Sequence, residues 1–438
     1  MNAPPSGKLR RGAISSLALA HAGVAHLGHQ ARRLRLDETA LAAAQQAHEA
    51  ELGRILFRAL NQLKGTALKV SQLLSMEADF LPEGVRRELA KGCYQVTPLN
   101  RALVQKVFRH EFGCAPEQLY AAFSPASFAA ASLGQVHHAL APDGMALAVK
   151  VQYPGIAVSI GSDLRMLRGI LQTLGRGSGL LPREEIVDRM LLELEHKLAE
   201  ELDYRHEAAQ LNWFRQHQRL PGIVIPQAIA SLSSKRVLSM QRLEGLHLDE
   251  WLATAPDQAQ RDHYGQLLFD WFWSCVCDLR RLHADPHPGN FLFMSGGRLG
   301  VLDFGCTKTI SAGFCRAMGA RWQALLQQES GAGADAVWQA YRALGLISAE
   351  LSLDDFEAHM MPALSRLHAW QMEPYRSARF DFSRKSAYPA AEPGHHQNLA
   401  RLLAGYHEDL PYFDRAYLGL MHMLKKIGAR VVTHNPWS

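Results

Sequence analysis

Three features of the 438-residue sequence predict an α+β chain with two lobes. Helical stripes occupy both ends, strand-like runs gather between residues 124 and 243, and a proline-rich loop opening on a short hairpin interrupts the last helical stretch. The expected order is a basic tail or targeting segment (1–44), a helical extension (45–123), a small β-rich lobe with inserted helices (124–243) and a larger helical lobe (244–438). A chain of this length builds more than one core.

The elements follow in order. Residues 45–78 carry Leu52, Leu56, Leu60, Leu63, Ala67, Val70 and Leu74 as a helical stripe, which Leu81-Pro82 ends. A second helix follows Pro98 and runs to about Glu111, with Gly113 just past its end. SPASFAAASLGQVHHAL, from Ser124, leads through the turn Pro142-Asp143-Gly144 into MALAVKVQ. The pattern predicts a hairpin whose first half carries the small-residue run Ala129 to Gly134. Residues 155–217 read as helical with a break at Gly175 to Gly179. IVIP (223–226) and RVLSMQRL (236–243) read as strands, and the chain from Leu248 is mostly helical. PAAEPGHHQN (389–398) reads as a surface loop, and no internal repeat is present.

Composition narrows the function classes. At 47% hydrophobic and 20% charged residues the chain is an ordinary globular one, and a net charge of +5 does not argue for nucleic acid. Six cysteines contain no CxxC pair, which points to a reducing compartment. Lys8, Arg10, Arg11, Arg32, Arg33 and Arg35 precede the first acid, Asp37. The uncharged stretch between Arg11 and Arg32 holds three histidines and is a poor membrane span. It reads as a frayed tail, a transit peptide or a basic membrane-surface segment. The expected location is cytoplasmic or peripheral on an inner membrane, or the mitochondrial matrix if the segment is a transit peptide.

The loop HADPHPGN (283–290) carries the chemistry. Pro286 and Pro288 exclude a helix, Phe291 to Phe293 reads as a strand, Gly296-Gly297 as a turn and Leu299 to Leu302 as the returning strand. Asp303 then opens Asp-Phe-Gly. Phosphoryl transfer needs magnesium on a few hard oxygens and one carboxylate to position the nucleophile. Asn290 and Asp303 suit the metal, and Asp285 suits the nucleophile. HxDxxxxN followed by DFG matches the protein-kinase catalytic set. Two bland alternatives stand beside it: a transition-metal site at His283, Asp285 and His287, and a purely structural loop.

Upstream, Ala148-Val149-Lys150-Val151 resembles a phosphate-binding lysine strand, and a lysine in an apolar strand needs a partner. EELDYRHEAA (200–209) offers Glu201, Asp203 and Glu207, with Glu207 favoured, although such acids are ordinarily a solvated helix face. Alanines stand where a kinase has its glycine-rich loop, and alanine stiffens that backbone.

Together these pieces resemble the UbiB-type (AarF/ADCK) atypical kinases, ATPases linked to coenzyme Q biosynthesis. The resemblance rests on LKGTALKVSQLLS (63–75), AAASLGQVH (129–137), AVKVQYPGI (148–156), ELDYRHEA (201–208), HADPHPGN (283–290) and LDFG (302–305). It implies a protein-kinase-like bilobal fold using ATP or ADP with Mg2+. Lys150 would hold the α- and β-phosphates and pair with Glu207. Asn290 and Asp303 would bind magnesium, and Asp285 would be the catalytic-loop carboxylate. Ala129, Ala130, Ala131, Ser132 and Gln135, with Met240, Gln241 and Leu243, would complete the nucleotide set. Glu201 and Asp203 match the family's ExD motif, and Lys69 and Gln72 its KxGQ motif on a helix that blocks protein substrates. Ser71 stands in place of that motif's glycine. The implied activity is ATPase or small-molecule phosphotransfer near a membrane, with a lipid surface or quinone-biosynthesis proteins as partners and no nucleic acid. Two readings remain beside it: a phosphotransferase of the aminoglycoside or choline kinase type, and a non-enzymatic nucleotide-sensing scaffold.

Overall fold

The computed structural model describes residues 100–437 apart from 132, 155–163, 166, 170, 173–183, 328–333, 390–401, 403–404 and 406, and scattered positions between 17 and 88. The chain divides into two units, Met1–Ala209 with Ala228–Arg242 and Gln210–Gln227 with Leu243–Ser438. The fold is α+β, with an antiparallel sheet in the first unit and mostly helices in the second.

In the first unit, helix α1 (Arg101–Phe112) starts where the Asn100 side chain accepts from the Leu103 amide. It ends at Gly113, whose φ of 76° suits a residue without a Cβ. A four-stranded sheet follows in the order β1 (Ala122–Ala131), β2 (Gly134–Leu140), β3 (Ala146–Gln152) and β5 (Val237–Gln241). All of its pairings are antiparallel. Its core face sets Leu147, Val149, Val151 and Val237 against Val104, Val107, Phe108 and Tyr120. Helix α1 is thus part of the sheet's own core, where the sequence suggested a separate extension ending at residue 123.

The strands correct a second expectation. Residues 124–152 form two successive hairpins, not one, because Ala129, Ala130 and Ala131 end β1 in register with Val136, Gln135 and Gly134, and the chain turns back between Ala131 and Gly134. Gly134 is required there. A Cβ at that position would stand 2.4 Å from the Val151 carbonyl oxygen and 2.9 Å from the Tyr204 hydroxyl. Further on, the helical stretch is split at Leu202-Asp203 into α2 (Glu184–Glu201) and α3 (Tyr204–His217). The Asp203 carboxylate accepts from the Arg205 amide and opens α3.

The second unit begins within α3. Phe214 packs against Trp271 and Phe304, with ring centroids 5.7 and 5.0 Å away. Strand β4 (Ile223–Val224) pairs in parallel with β8 (Arg298–Val301), which pairs with β7 (Phe291–Met294). These contacts explain why Gln210–Gln227 leaves the β-rich lobe in which the sequence placed it. Gly296 and Gly297, with φ of 73° and 67°, make the β7–β8 turn. Helices α4 (Leu248–Ala253), α5 (Gln258–Trp273), α6 (Ala312–Gln327), α7 (Ala334–Ala343), α8 (Met361–Met372) and α9 (Leu410–Ile427) build the rest. A cluster of Trp273, Trp322, Phe413 and Tyr417 forms their shared core. Short antiparallel pairs β6 (Arg281–His283) with β9 (Thr307–Thr309), and β10 (Arg379–Asp381) with β11 (Arg430–Val432), complete the unit.

His368 is buried and bonded through Nε2 to the Tyr341 hydroxyl at 2.7 Å. Burial, reinforced by the nearby Arg321 charge, holds the imidazole neutral, well below the usual histidine range. The unfolded chain takes up a proton there near pH 6.5, so stability from this group is present above about pH 6.5 and declines below it, by about 1.4 kcal/mol per pH unit. Denaturant midpoints compared at pH 7.5 and 5.5 (values of about one unit either side) should show this slope reduced in His368→Gln. An unchanged slope would place the acid sensitivity elsewhere.

Candidate functional site

The first unit holds a buried ion pair. Lys150 Nζ lies 2.5 Å from Glu207 Oε1, 57 residues apart in sequence, and both side chains are buried. Several contacts bring them together. Gln152, two residues along β3, donates to the Leu202 carbonyl at 3.0 Å, and the Tyr204 amide donates to the Lys235 carbonyl at 3.0 Å. These tie the start of α3 to the sheet, and Glu207 stands in the first turn of that helix. A buried ammonium is tolerated only with such a partner.

Strand register sorts the other residues expected here. Val136, Lys150 and Leu238 are opposite one another, so they share a face, and the alternation adds Ala148 and Met240. Ala129 is in register with Val136 and Ala131 with Gly134, on that same face. Gln135 is in register with Val151, on the core face, and its amide nitrogen lies 2.7 Å from His137 Nε2. His137 Nδ1 donates to the Ser124 carbonyl at 2.8 Å, so Nε2 is the acceptor from Gln135. The Gln135 side chain therefore serves the sheet and stands away from the Lys150 face, contrary to the expectation that it joins the nucleotide set. Ala130, opposite Gln135, and Gln241, opposite Leu147, share that other face. Leu243 falls in the second unit, close to Gly300. Ser132, Lys69 and Gln72, with Ser71, lie outside the described residues. Asp203 has the local role of opening α3, with Glu201 the last residue of α2.

The second unit holds the loop. Asn290 Nδ2 donates to Asp285 Oδ2 at 2.8 Å and to the Asp285 carbonyl at 3.1 Å. The Leu302 amide donates to the Asn290 carbonyl at 2.9 Å, and Phe291 is opposite Val301. The open end of the β7–β8 hairpin thus places Asn290 beside the segment leading to Asp303. Asp303 Oδ1 accepts from the Gly305 amide at 2.9 Å. His283 Nε2 donates to the Asp303 carbonyl at 2.6 Å. Burial pushes the His283 imidazole below its usual range, against the pull of Asp285, which keeps Nε2 a neutral donor. His283 and Asp303 are therefore joined through backbone, and Asp285 and Asn290 through side chains.

His283, Asp285 and His287 do not form the transition-metal site weighed as an alternative. His287 is exposed and its Nδ1 accepts from the Gly289 amide. No cluster of three or more His, Cys, Asp or Glu suited to a metal is present among the described residues. The fit to magnesium differs, because it needs oxygens and few protein ligands. Asn290 spends its amide nitrogen on Asp285, which leaves its carbonyl oxygen as a hard donor, and Asp303 supplies a carboxylate.

One residue escaped sequence reasoning. Arg415, on α9, pairs with Asp285 Oδ1 through Nη2 at 2.8 Å. The usable signal was weak: an arginine in an apolar helix with a glycine, Gly419, one turn later.

The profile of the ABC1 atypical kinase-like domain matches residues 91–334. The chain belongs to that family, the UbiB-type (AarF/ADCK) atypical kinases. It is 34% identical over 258 residues to an uncharacterised protein of Synechocystis sp., 57% of this chain and 37% of that one. It is 32% identical over 266 residues to the mitochondrial atypical kinase COQ8B of Danio rerio, 59% of this chain and 41% of the relative. The rat COQ8B match, also 32%, covers 61% of this chain and 50% of the relative. The chain therefore spans half or less of the length of these family members. A solved structure, the Rv3197–erythromycin complex from Mycobacterium tuberculosis, superposes with a TM-score of 0.61 at 26% identity. That likeness covers 90% of this chain and 96% of the other. Among the described residues no helix is long and apolar enough to cross a membrane.

The ion pair makes a sharp stability prediction. Glu207→Gln should cost about 3–5 kcal/mol, because it strips the carboxylate from a buried ammonium, whereas Lys150→Met with Glu207→Leu should be nearly neutral. Chemical denaturation of the three proteins measures both. Equal losses in the single and double variants would show that packing, not charge, dominates.

Proposed function

We propose that this atypical kinase binds ATP or ADP with magnesium and acts as an ATPase or small-molecule phosphotransferase in isoprenoid-quinone metabolism at a membrane surface. The buried Lys150–Glu207 pair carries this reading. A lysine paired with a buried carboxylate on a sheet face shared with Ala129, Ala148 and Met240 suits a nucleotide's phosphates. Lys150 binds the phosphates, Asn290 and Asp303 hold magnesium, and Asp285 orients the acceptor hydroxyl or water. Bound magnesium would neutralise charge on the phosphate oxygens. Alanines at 129–131 stiffen the hairpin where a kinase has glycines. The quinone assignment draws on the COQ8B relatives and on family kinship. The membrane surface draws on the basic N-terminal residues.

A second reading takes a small hydroxylated molecule as phosphoryl acceptor at Asp285. It draws on the Mycobacterium tuberculosis relative, whose structure is a complex with erythromycin. Phosphate transferred stoichiometrically to a small alcohol would favour it over ATP hydrolysis alone.

Thermal stabilisation by ATP and ADP tests the main reading. Ligand at 100 times its dissociation constant should stabilise the wild type by about 2.7 kcal/mol. The shift should require magnesium and vanish in both Lys150→Ala and Asp303→Asn. A wild type that no nucleotide stabilises would overturn the proposal. Separately, Ala130→Gly should loosen the hairpin and change the ratio of ATP to ADP affinity, measured by calorimetry. A constant ratio would remove the hairpin from the phosphates.

A further inference from the structure

We propose that Arg415 is the positioning residue for Asp285, and that helix α9 sets the geometry of the HADPHPGN loop. The inference rests on the role given to Asp285 above. The Asp285 carboxylate is held from two sides: Asn290 Nδ2 reaches Oδ2 at 2.8 Å, and Arg415 Nη2 reaches Oδ1 at 2.8 Å. Asn290 belongs to the same loop and moves with it. Arg415 does not, so it supplies the outside reference that fixes the carboxylate plane.

Two further contacts show that α9 is seated on this part of the chain. Asp409, just before the helix, accepts from the Ser311 amide at 2.9 Å and lies 3.6 Å from Lys308 on β9. One turn after Arg415, a Cβ on Gly419 would stand 2.2 Å from Pro286 Cγ, so the helix backbone touches the loop itself. A glycine in the middle of an 18-residue helix costs about 1 kcal/mol relative to alanine and needs such a packing reason. Arg415 also reaches beyond the loop. Its Nη1 is 3.9 Å from Cys306 Sγ, just after the Asp303-Phe304-Gly305 segment. The Cys306 carbonyl in turn accepts from the Ala284 amide at 3.0 Å. One guanidinium therefore touches both strands of the β6–β9 ladder's continuation, a span that suits a planar fork and not a lysine's point charge. The side chain is 9% exposed and Asp285 18%, so the pair is screened far less than a surface ion pair. Arg415 lies beyond the residues matched by the family profile, which end at 334.

The test uses the full chain with ATP turnover as readout, after the wild type has shown the magnesium-dependent stabilisation described above. Arg415→Met should lower kcat by about 10- to 100-fold while nucleotide affinity stays within about twofold, because only the acceptor's orientation is lost. Arg415→Lys should fall between the two, retaining charge without the fork. A kcat within twofold of wild type (about 0.4 kcal/mol) in Arg415→Lys and Arg415→Met would overturn the inference. So would a parallel loss of affinity, turnover and melting temperature, which marks a structural brace. If Arg415→Met fails to fold, Arg415→Lys decides alone: an unchanged kcat overturns the proposal. A wild type without nucleotide stabilisation refutes the proposed function instead, and is seen before any Arg415 variant is made.

Discussion

The Lys150–Glu207 ion pair is the constraint around which the first unit is arranged. An ammonium in the middle of β3 costs several kcal/mol unless a carboxylate meets it. The carboxylate arrives from α3, whose start is fixed by hydrogen bonds from Gln152 and to the Lys235 carbonyl. Gly134 lets Tyr204 and β3 come close enough for this. The sheet's other face is filled by α1 and its aromatic neighbours, so one face is committed to packing and one to the charge. That division explains why Gln135, polar and next to the bend, is spent on His137 instead of on the Lys150 face.

The second unit applies a different device to the same end. There the polar groups are locked into a loop by backbone as much as by side chains. His283, neutral because it is buried, donates to the Asp303 carbonyl, and Asn290 is tied to Asp285 and to Leu302. Pro286 and Pro288 limit the backbone between them. Helix α9 then closes on the loop through Arg415 and Gly419. Both units thus follow one rule: charged side chains are oriented by partners whose own positions are set by secondary structure.

Much of this was legible in the sequence where signals are local. Pro98 and Gly113 bracket α1 because helix boundaries and left-handed turns depend on a few neighbouring residues. Gly296-Gly297 announces the β7–β8 turn for the same reason. The β1–β2 turn was missed because the alanines at 129–131 that precede it carry no turn signal, and only the close approach of Val151 makes Gly134 obligatory. Gln210–Gln227 changed units because Phe214 and β4 found partners far along the chain.

By itself the sequence determined the order of motifs, the residue types of the candidate site and the family, since each motif is short and its spacing is set by covalent connection. Tertiary structure alone decided which face of the sheet each alanine and glutamine takes, and that Arg415 lies against Asp285, 130 residues away. Register changes a side chain's face with a shift of one residue, and a long-range ion pair leaves no periodic trace, so neither is written in any local pattern.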